Sequence, residues 1–158
     1  MKLSCVIVED SSIQRMIVSK LASKHQNLRL VGEFSNAVET KNFLSYNTVD
    51  LVFLDVEMPV LNGFEFLDTL KVKPQVIFIS SKAEYAVKAF DYEATDYIQK
   101  PISTSRFDDS VKRALNKQQF SESVFENGEP IFIKSNLKKL KIFTSHIKYI
   151  AAYGDYIK

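Results

Sequence analysis

The chain has 158 residues, a mass of 18.1 kDa and a formal net charge of +2, with 46% hydrophobic and 25% charged residues. Its single cysteine, Cys5, excludes an intramolecular disulfide and a multi-cysteine zinc site, and two histidines, His25 and His146, leave little for a histidine-built metal centre. No stretch approaches the roughly 20 apolar residues of a membrane span, and Glu9 and Asp10 fall where a signal peptide would be apolar, so a cytoplasmic protein is predicted.

In chain order, the first 117 residues alternate strand and helix. Apolar runs of strand length stand at Leu3–Val8, Leu30–Phe34, Leu51–Asp55, Val76–Ser80 and Thr95–Gln99. They are rich in Val, Ile, Phe and Leu and mostly lack polar alternation, as strands buried on both faces do. Between them lie segments of helical period. Ile13, Met16, Ile17 and Leu21 share one face after Ser11 and Ser12. Ser35 can cap a helix over Ala37, Phe43 and Leu44, and Asn62 can cap one over Phe64, Leu67 and Leu70. Ala83, Val87 and Phe90 mark a fourth helix. Ser103 can cap a fifth, with Ile102 and Phe107 placed as a hydrophobic staple and Val111, Ala114 and Leu115 further along the same side. Five β-α units with short links predict an α/β fold: a doubly wound parallel sheet with helices on both faces.

After residue 117 both charge and period change. Residues 1–117 carry 15 basic and 15 acidic side chains, residues 118–129 carry only three glutamates, and residues 130–158 carry six lysines against Asp155. Residues 118–129 read as a polar, acidic linker, into which the fifth helix can run. Ile131–Ile133, then Leu140, Ile142 and Phe143, then Ile147–Ala152 read as short strands, with Asn136 breaking the first pair and Gly154 following the third. This is hairpin patterning and predicts a short β-rich C-terminal stub.

In a doubly wound sheet, chemistry gathers at the carboxyl ends of the strands. Here those ends are Glu9-Asp10, Asp55, Ser80-Ser81 and Lys100-Pro101. Three carboxylates close together repel unless something neutralises them. A hard divalent cation such as Mg²⁺, taking oxygen ligands, resolves this, and Lys100 adds a second positive charge. Metal, carboxylate, hydroxyl and lysine together suit phosphoryl transfer to a carboxylate. Asp55 is the predicted nucleophile, Glu9 and Asp10 hold the metal with it, and Ser80 and Lys100 bind oxygens of the acyl phosphate.

The segments "VIVEDSS", "LVFLDVEMPVLNGFEFL", "VIFISS" and "DYIQKP", in that order, resemble the receiver domain of two-component response regulators over about residues 1–117. The resemblance implies a flavodoxin-like (βα)₅ fold and a phosphoacceptor at Asp55. It implies metal ligation by Glu9, Asp10, Asp55 and the backbone carbonyl of Glu57. It also implies a switch hydroxyl at Ser80, a phosphate-binding Lys100, an aromatic switch at Tyr97 and a cis peptide before Pro101. Glu9 stands where the family also uses Asp, and Ser80 where it also uses Thr. Residues 130–158 resemble the opening of a LytTR-type DNA-binding domain, including its Gly154-Asp155-Tyr156 motif. The family domain is longer, so a piece of a larger transcription factor is expected, with no DNA contact assigned to this fragment.

The implied partners are a sensor histidine kinase, a second copy on phosphorylation, and DNA for the complete protein; no membrane is expected. The implied role is a signalling switch that takes part in its own phosphorylation, not an enzyme. A stand-alone receiver acting as a protein-interaction module is the alternative. A dehalogenase-type phosphatase would want Asp where Glu57 stands, and a flavin site would be repelled by Glu9 and Asp10. Taken singly, Cys5 reads as a small buried hydrophobe and His25 as a helix C-terminal residue. Lys134, Lys138, Lys139 and Lys141 read as a solubilising hairpin face as readily as a phosphate-contacting one.

Overall fold

Strand β1 (Leu3–Val8) is buried at every position, which only a sheet covered on both faces allows. A computed structural model describes residues 1–127, 130–135, 138–143, 152–153 and 156–157, with side chains through residue 121. After β1 come α1 (Ser12–Lys24), β2 (Leu28–Phe34), α2 (Ala37–Leu44), β3 (Leu51–Asp55), α3 (Gly63–Asp68), β4 (Gln75–Ser80), α4 (Tyr85–Asp91), β5 (Asp96–Gln99) and α5 (Thr104–Asn127). The five strands form one parallel sheet in the order β2-β1-β3-β4-β5. This is the flavodoxin-like receiver topology expected from the sequence.

Alternate residues of each strand feed opposite cores, as the two-residue period of a strand requires. Leu3, Cys5 and Ile7 of β1 join Val18 and Ala22 of α1 and Phe107, Val111 and Ala114 of α5. Val6 and Val8 join Ala37, Phe64, Phe66, Leu67 and Ala89 on the other face. Phe53 of β3 stacks on Phe107 at 5.0 Å between ring centroids, and Phe64 packs on Phe78 at 4.6 Å. Cys5 is fully buried, and burial, helped by Asp50, pushes its thiol up to about 12.

The helix starts follow the capping chemistry with one correction. Asn62 accepts from the Phe64 and Glu65 N–H groups while Glu65 reaches back to the Asn62 N–H, a complete capping box. Ser103 Oγ accepts from the Arg106 N–H at 3.2 Å, and Ile102 and Phe107 share one cluster. Helix α2 is capped by Asn36, not by Ser35. The stripe on α1 also differs from expectation. Ile13, Met16 and Ile17 are exposed, and Val18 and Ala22 meet the sheet. On α4, Val87 and Phe90 are exposed and Ala89 is the buried residue.

The chain divides into two units, Met1–Leu115 and Asn116–Lys158. In the second, residues 118–127, read as linker, are helical. Strands β6 (Pro130–Ser135) and β7 (Lys138–Phe143) pair antiparallel, with Lys134 opposite Lys139. Strands β8 (Ala152–Tyr153) and β9 (Tyr156–Ile157) form a second short pair. His146, Gly154, Asp155 and most of the Ile147–Ala152 run lie outside the described residues.

Candidate functional site

Four strand ends meet at one rim. Asp55 is the last residue of β3 and Ser80 the last of β4, and Glu9-Asp10 and Lys100 follow β1 and β5 directly. Carboxylate oxygens of Glu9, Asp10 and Asp55 lie within 4.8 Å of one another. Glu9 and Asp55 are buried and Asp10 is exposed, so the cluster has a closed floor and an open mouth. The Lys100 ammonium donates to Glu9 Oε2 at 2.8 Å and lies 3.4 Å from Asp55 Oδ1. Its backbone N–H donates to the Ser80 carbonyl at 2.8 Å, and the Lys100-Pro101 peptide is cis.

One ammonium cannot balance two buried carboxylates. Burial raises the Glu9 carboxyl; the Lys100 hydrogen bond opposes that and the Asp55 charge adds to it. Burial likewise raises Asp55 against the lowering effect of Lys100 and the Glu57 N–H, with Asp10 raising it further. Burial alone would lower Lys100, but its bond to Glu9 and the Asp55 charge outweigh this and raise it. The pocket therefore holds a surplus of negative charge that favours a cation or a proton. Its donors are all hard oxygens from three carboxylates, which is the set Mg²⁺ accepts.

Gly63 shows why the Asp55 segment needs glycine eight residues on. A Cβ there would sit 2.5 Å from the Asp55 carbonyl oxygen and 3.2 Å from Val56 Cα. The Gly63 N–H donates to the Val56 carbonyl at 2.9 Å, so α3 starts directly against the backbone that carries Asp55. Between them, Val60 takes a left-handed φ of 71° in a three-residue turn closed from the Leu61 N–H to the Pro59 carbonyl.

Residues 5–112 match the response regulator receiver domain. This chain belongs to that family. The chain is 35% identical over 124 residues to the transcriptional regulatory protein YpdB of Escherichia coli, covering 75% of this chain and 51% of YpdB. It is 32% identical over 122 residues to an uncharacterized response regulatory protein of Vibrio cholerae, covering 76% of this chain and 52% of that protein. The chain thus spans about half the length of these relatives. Its structure is similar to the crystal structure of the response regulatory domain of MrkE from Klebsiella pneumoniae, with a TM-score of 0.68 and 32% identity. That match covers 75% of this chain and 99% of that domain.

The receiver also contains a charged network between β5 and α5. Asp96 is buried and accepts from Arg106 Nη1 at 2.6 Å, Arg106 Nη2 at 2.8 Å, Arg113 Nη1 at 2.9 Å and the Tyr97 N–H at 2.9 Å. Burial would raise its carboxyl, but these hydrogen bonds and the two guanidinium charges hold it below the usual carboxylate range. Its ionised form therefore stabilises the fold above the ordinary Asp pKa, and that contribution is lost as pH falls through the depressed one. Asp96→Asn is expected to cost about 2 kcal/mol, discounted from a fully buried pair because both arginines reach solvent. Urea titrations should show this gap near neutral pH and its narrowing as acid protonates the wild-type carboxyl.

Tyr97 is half-buried on the edge strand β5, and its hydroxyl donates to the Lys82 carbonyl. Burial pushes its phenol up; a hydrogen bond with Ser80 opposes this, and the Glu57, Tyr85 and Asp55 charges add to it. Ser80 Oγ accepts from the Lys82 N–H at 3.2 Å. The structure thus joins Tyr97 of β5 and Ser80 at the end of β4 to Lys82 of the following turn, a residue that no spacing in the sequence links to Tyr97.

Proposed function

We propose that this receiver accepts a phosphoryl group on Asp55 from a sensor histidine kinase and passes the change to a transcriptional output. The observation that carries the reading is the buried Asp55 carboxylate, clustered with Glu9 and Asp10 and faced by the Lys100 ammonium, in a chain of the receiver family. One Asp55 oxygen attacks phosphorus, a P–O bond forms, the P–N bond to the donor imidazole breaks, and its electron pair stays on the departing nitrogen. Lys100 neutralises charge on the acyl phosphate, and Ser80 offers it a hydroxyl. Glu9, Asp10, Asp55 and the Glu57 backbone carbonyl would hold Mg²⁺. When bound, the ion supplies positive charge against the phosphoryl oxygens. The protein acts as a switch and not as an enzyme.

Phosphorylation adds charge and acceptor oxygens beside Ser80 and biases a pre-existing equilibrium in which Ser80 and Tyr97 shift. The resulting form pairs with a second copy through the α4, β5 and α5 surface. Because Asp96 and Arg106 are occupied within the chain, the exposed Val87 and Phe90 of α4 are the better centre for that contact. Residues 130–158 open a LytTR-type domain that binds DNA in the complete protein. Their resemblance and the similarity to YpdB, a transcriptional regulatory protein, support this. No described helix is long and apolar enough to cross a membrane, and a cytoplasmic location fits a receiver that takes its phosphoryl group from a sensor kinase. Incubation with a small phosphodonor and Mg²⁺ tests the reading: intact mass should rise by one phosphoryl group, and an unchanged mass would reject it.

A further inference from the structure

The turn between β4 and α4 is held by bonds that phosphoryl transfer to Asp55 does not require. Glu57 lies on the β3–α3 loop, and its backbone N–H donates to Asp55 Oδ1 at 3.3 Å. Its side chain grips two consecutive residues of the opposite loop. Oε2 accepts from Ser81 Oγ at 2.7 Å, and Oε1 pairs with the Lys82 ammonium at 2.9 Å. The backbone of Lys82 serves three further partners: its N–H donates to Ser80 Oγ, and its carbonyl accepts the Tyr97 hydroxyl and, at 3.4 Å, the Tyr85 N–H.

The Lys82 ammonium also stands 5.5 Å from the Tyr85 ring centroid, and the Ala86 N–H donates to the Ala83 carbonyl at 3.1 Å. Residues 81–84 are exposed, and Glu84, at the start of α4, makes no side-chain cap hydrogen bond. The Tyr97 main chain, by contrast, is fixed on both sides. Its N–H donates to Asp96, and its carbonyl accepts from Arg106 Nη2 at 2.7 Å. What remains adjustable is the tyrosine ring and the turn that receives its hydroxyl.

We propose that Glu57, through its ion pair with Lys82 and its bond from Ser81, positions the β4–α4 turn to receive the Tyr97 hydroxyl. This makes a second route from the Asp55 pocket to the β5 edge, parallel to the one through Ser80. The functional meaning of the Asp55 end rests on the phosphoacceptor reading, whereas the positioning itself belongs to the unphosphorylated chain. Exposed ion pairs are weak, so the pair biases a conformational equilibrium by up to about five-fold and does not lock it.

Fluorotyrosine placed at position 97 and read by fluorine NMR tests this without phosphodonor or metal. In Glu57→Ala the signal is expected to move toward its value in denaturant as the docked population falls by up to about five-fold. Lys82→Ala keeps the accepting carbonyl and should give the same displacement. The exchange Glu57→Lys with Lys82→Glu should return the signal to the wild-type position, which a merely steric effect would not do. A signal unmoved in both single variants, or moved and not restored by the exchange, overturns the proposal. Phosphoryl uptake measured on the wild type separates the two ideas. Normal uptake with an unmoved signal removes only the Glu57 route, and absent uptake with a moved signal removes only the Asp55 reading.

Discussion

Asp55→Asn is expected to abolish phosphoryl uptake and to make the folded protein more stable. Burial raises the Asp55 carboxyl above its ordinary value, so ionising it costs more in the folded chain than in the unfolded one. Stability from this group is fully present below the ordinary Asp pKa and is lost as pH rises through the raised one. Above the raised pKa the wild type bears the whole cost. Asparagine removes the charge and leaves Lys100 balanced by Glu9 alone, at 2.8 Å. The gain should be on the order of 1 kcal/mol, roughly 4 °C in Tm. It should shrink as pH falls and the wild-type carboxyl takes up a proton. Mg²⁺ should raise the Tm of the wild type by mass action and that of the variant by less. Thermal unfolding across pH, with and without Mg²⁺, reads all three. A variant less stable than wild type at neutral pH would show that the Asp55–Lys100 contact outweighs the burial cost.

Gly63→Ala should act in the opposite direction on stability and should also weaken the site. The added methyl would lie 2.5 Å from the Asp55 carbonyl oxygen, and its other close neighbours are Val56 Cα and the Leu54 side chain, both at 3.2 Å. The nearest atom is backbone and not a flexible side-chain tip, so either α3 or the end of β3 must shift. Overpacking of this kind costs about 1–3 kcal/mol. The denaturant midpoint should fall with an unchanged m-value. Phosphoryl uptake should slow, because Asp55 loses its register with Lys100. A wild-type midpoint in this variant would mean that α3 yields freely and that the glycine is not required by the close approach.

Much of this architecture was readable from residue order because the sheet is covered on both faces. Runs such as Leu51–Asp55 have no polar alternation, and each one became a strand. The residues closing those runs, Glu9-Asp10, Asp55, Ser80 and Lys100, were brought to one rim by the topology alone. Helix faces were less legible. Periodicity groups Ile13, Met16 and Ile17, but it does not say which side of α1 meets the sheet, and the smaller Val18 and Ala22 do so. The same ambiguity left Val87 and Phe90 outside on α4. Side-chain networks between elements were legible least. Asp96 meets Arg106 and Arg113 from 10 and 17 residues away, and Glu57 reaches Ser81 from 24. Charge of either sign on a surface strand or loop carries no mark of whether it is paired within the chain.

The account stands on Asp55 as the acceptor, chosen among three carboxylates whose oxygens lie within 4.8 Å of one another. Locating the phosphoryl group decides it. After reaction with a small phosphodonor and Mg²⁺, borohydride reduces an aspartyl phosphate to homoserine, which tandem mass spectrometry reads at a single position. Homoserine at position 55 and nowhere else is the predicted result. Homoserine at position 10, or label retained in full by Asp55→Asn, would contradict it.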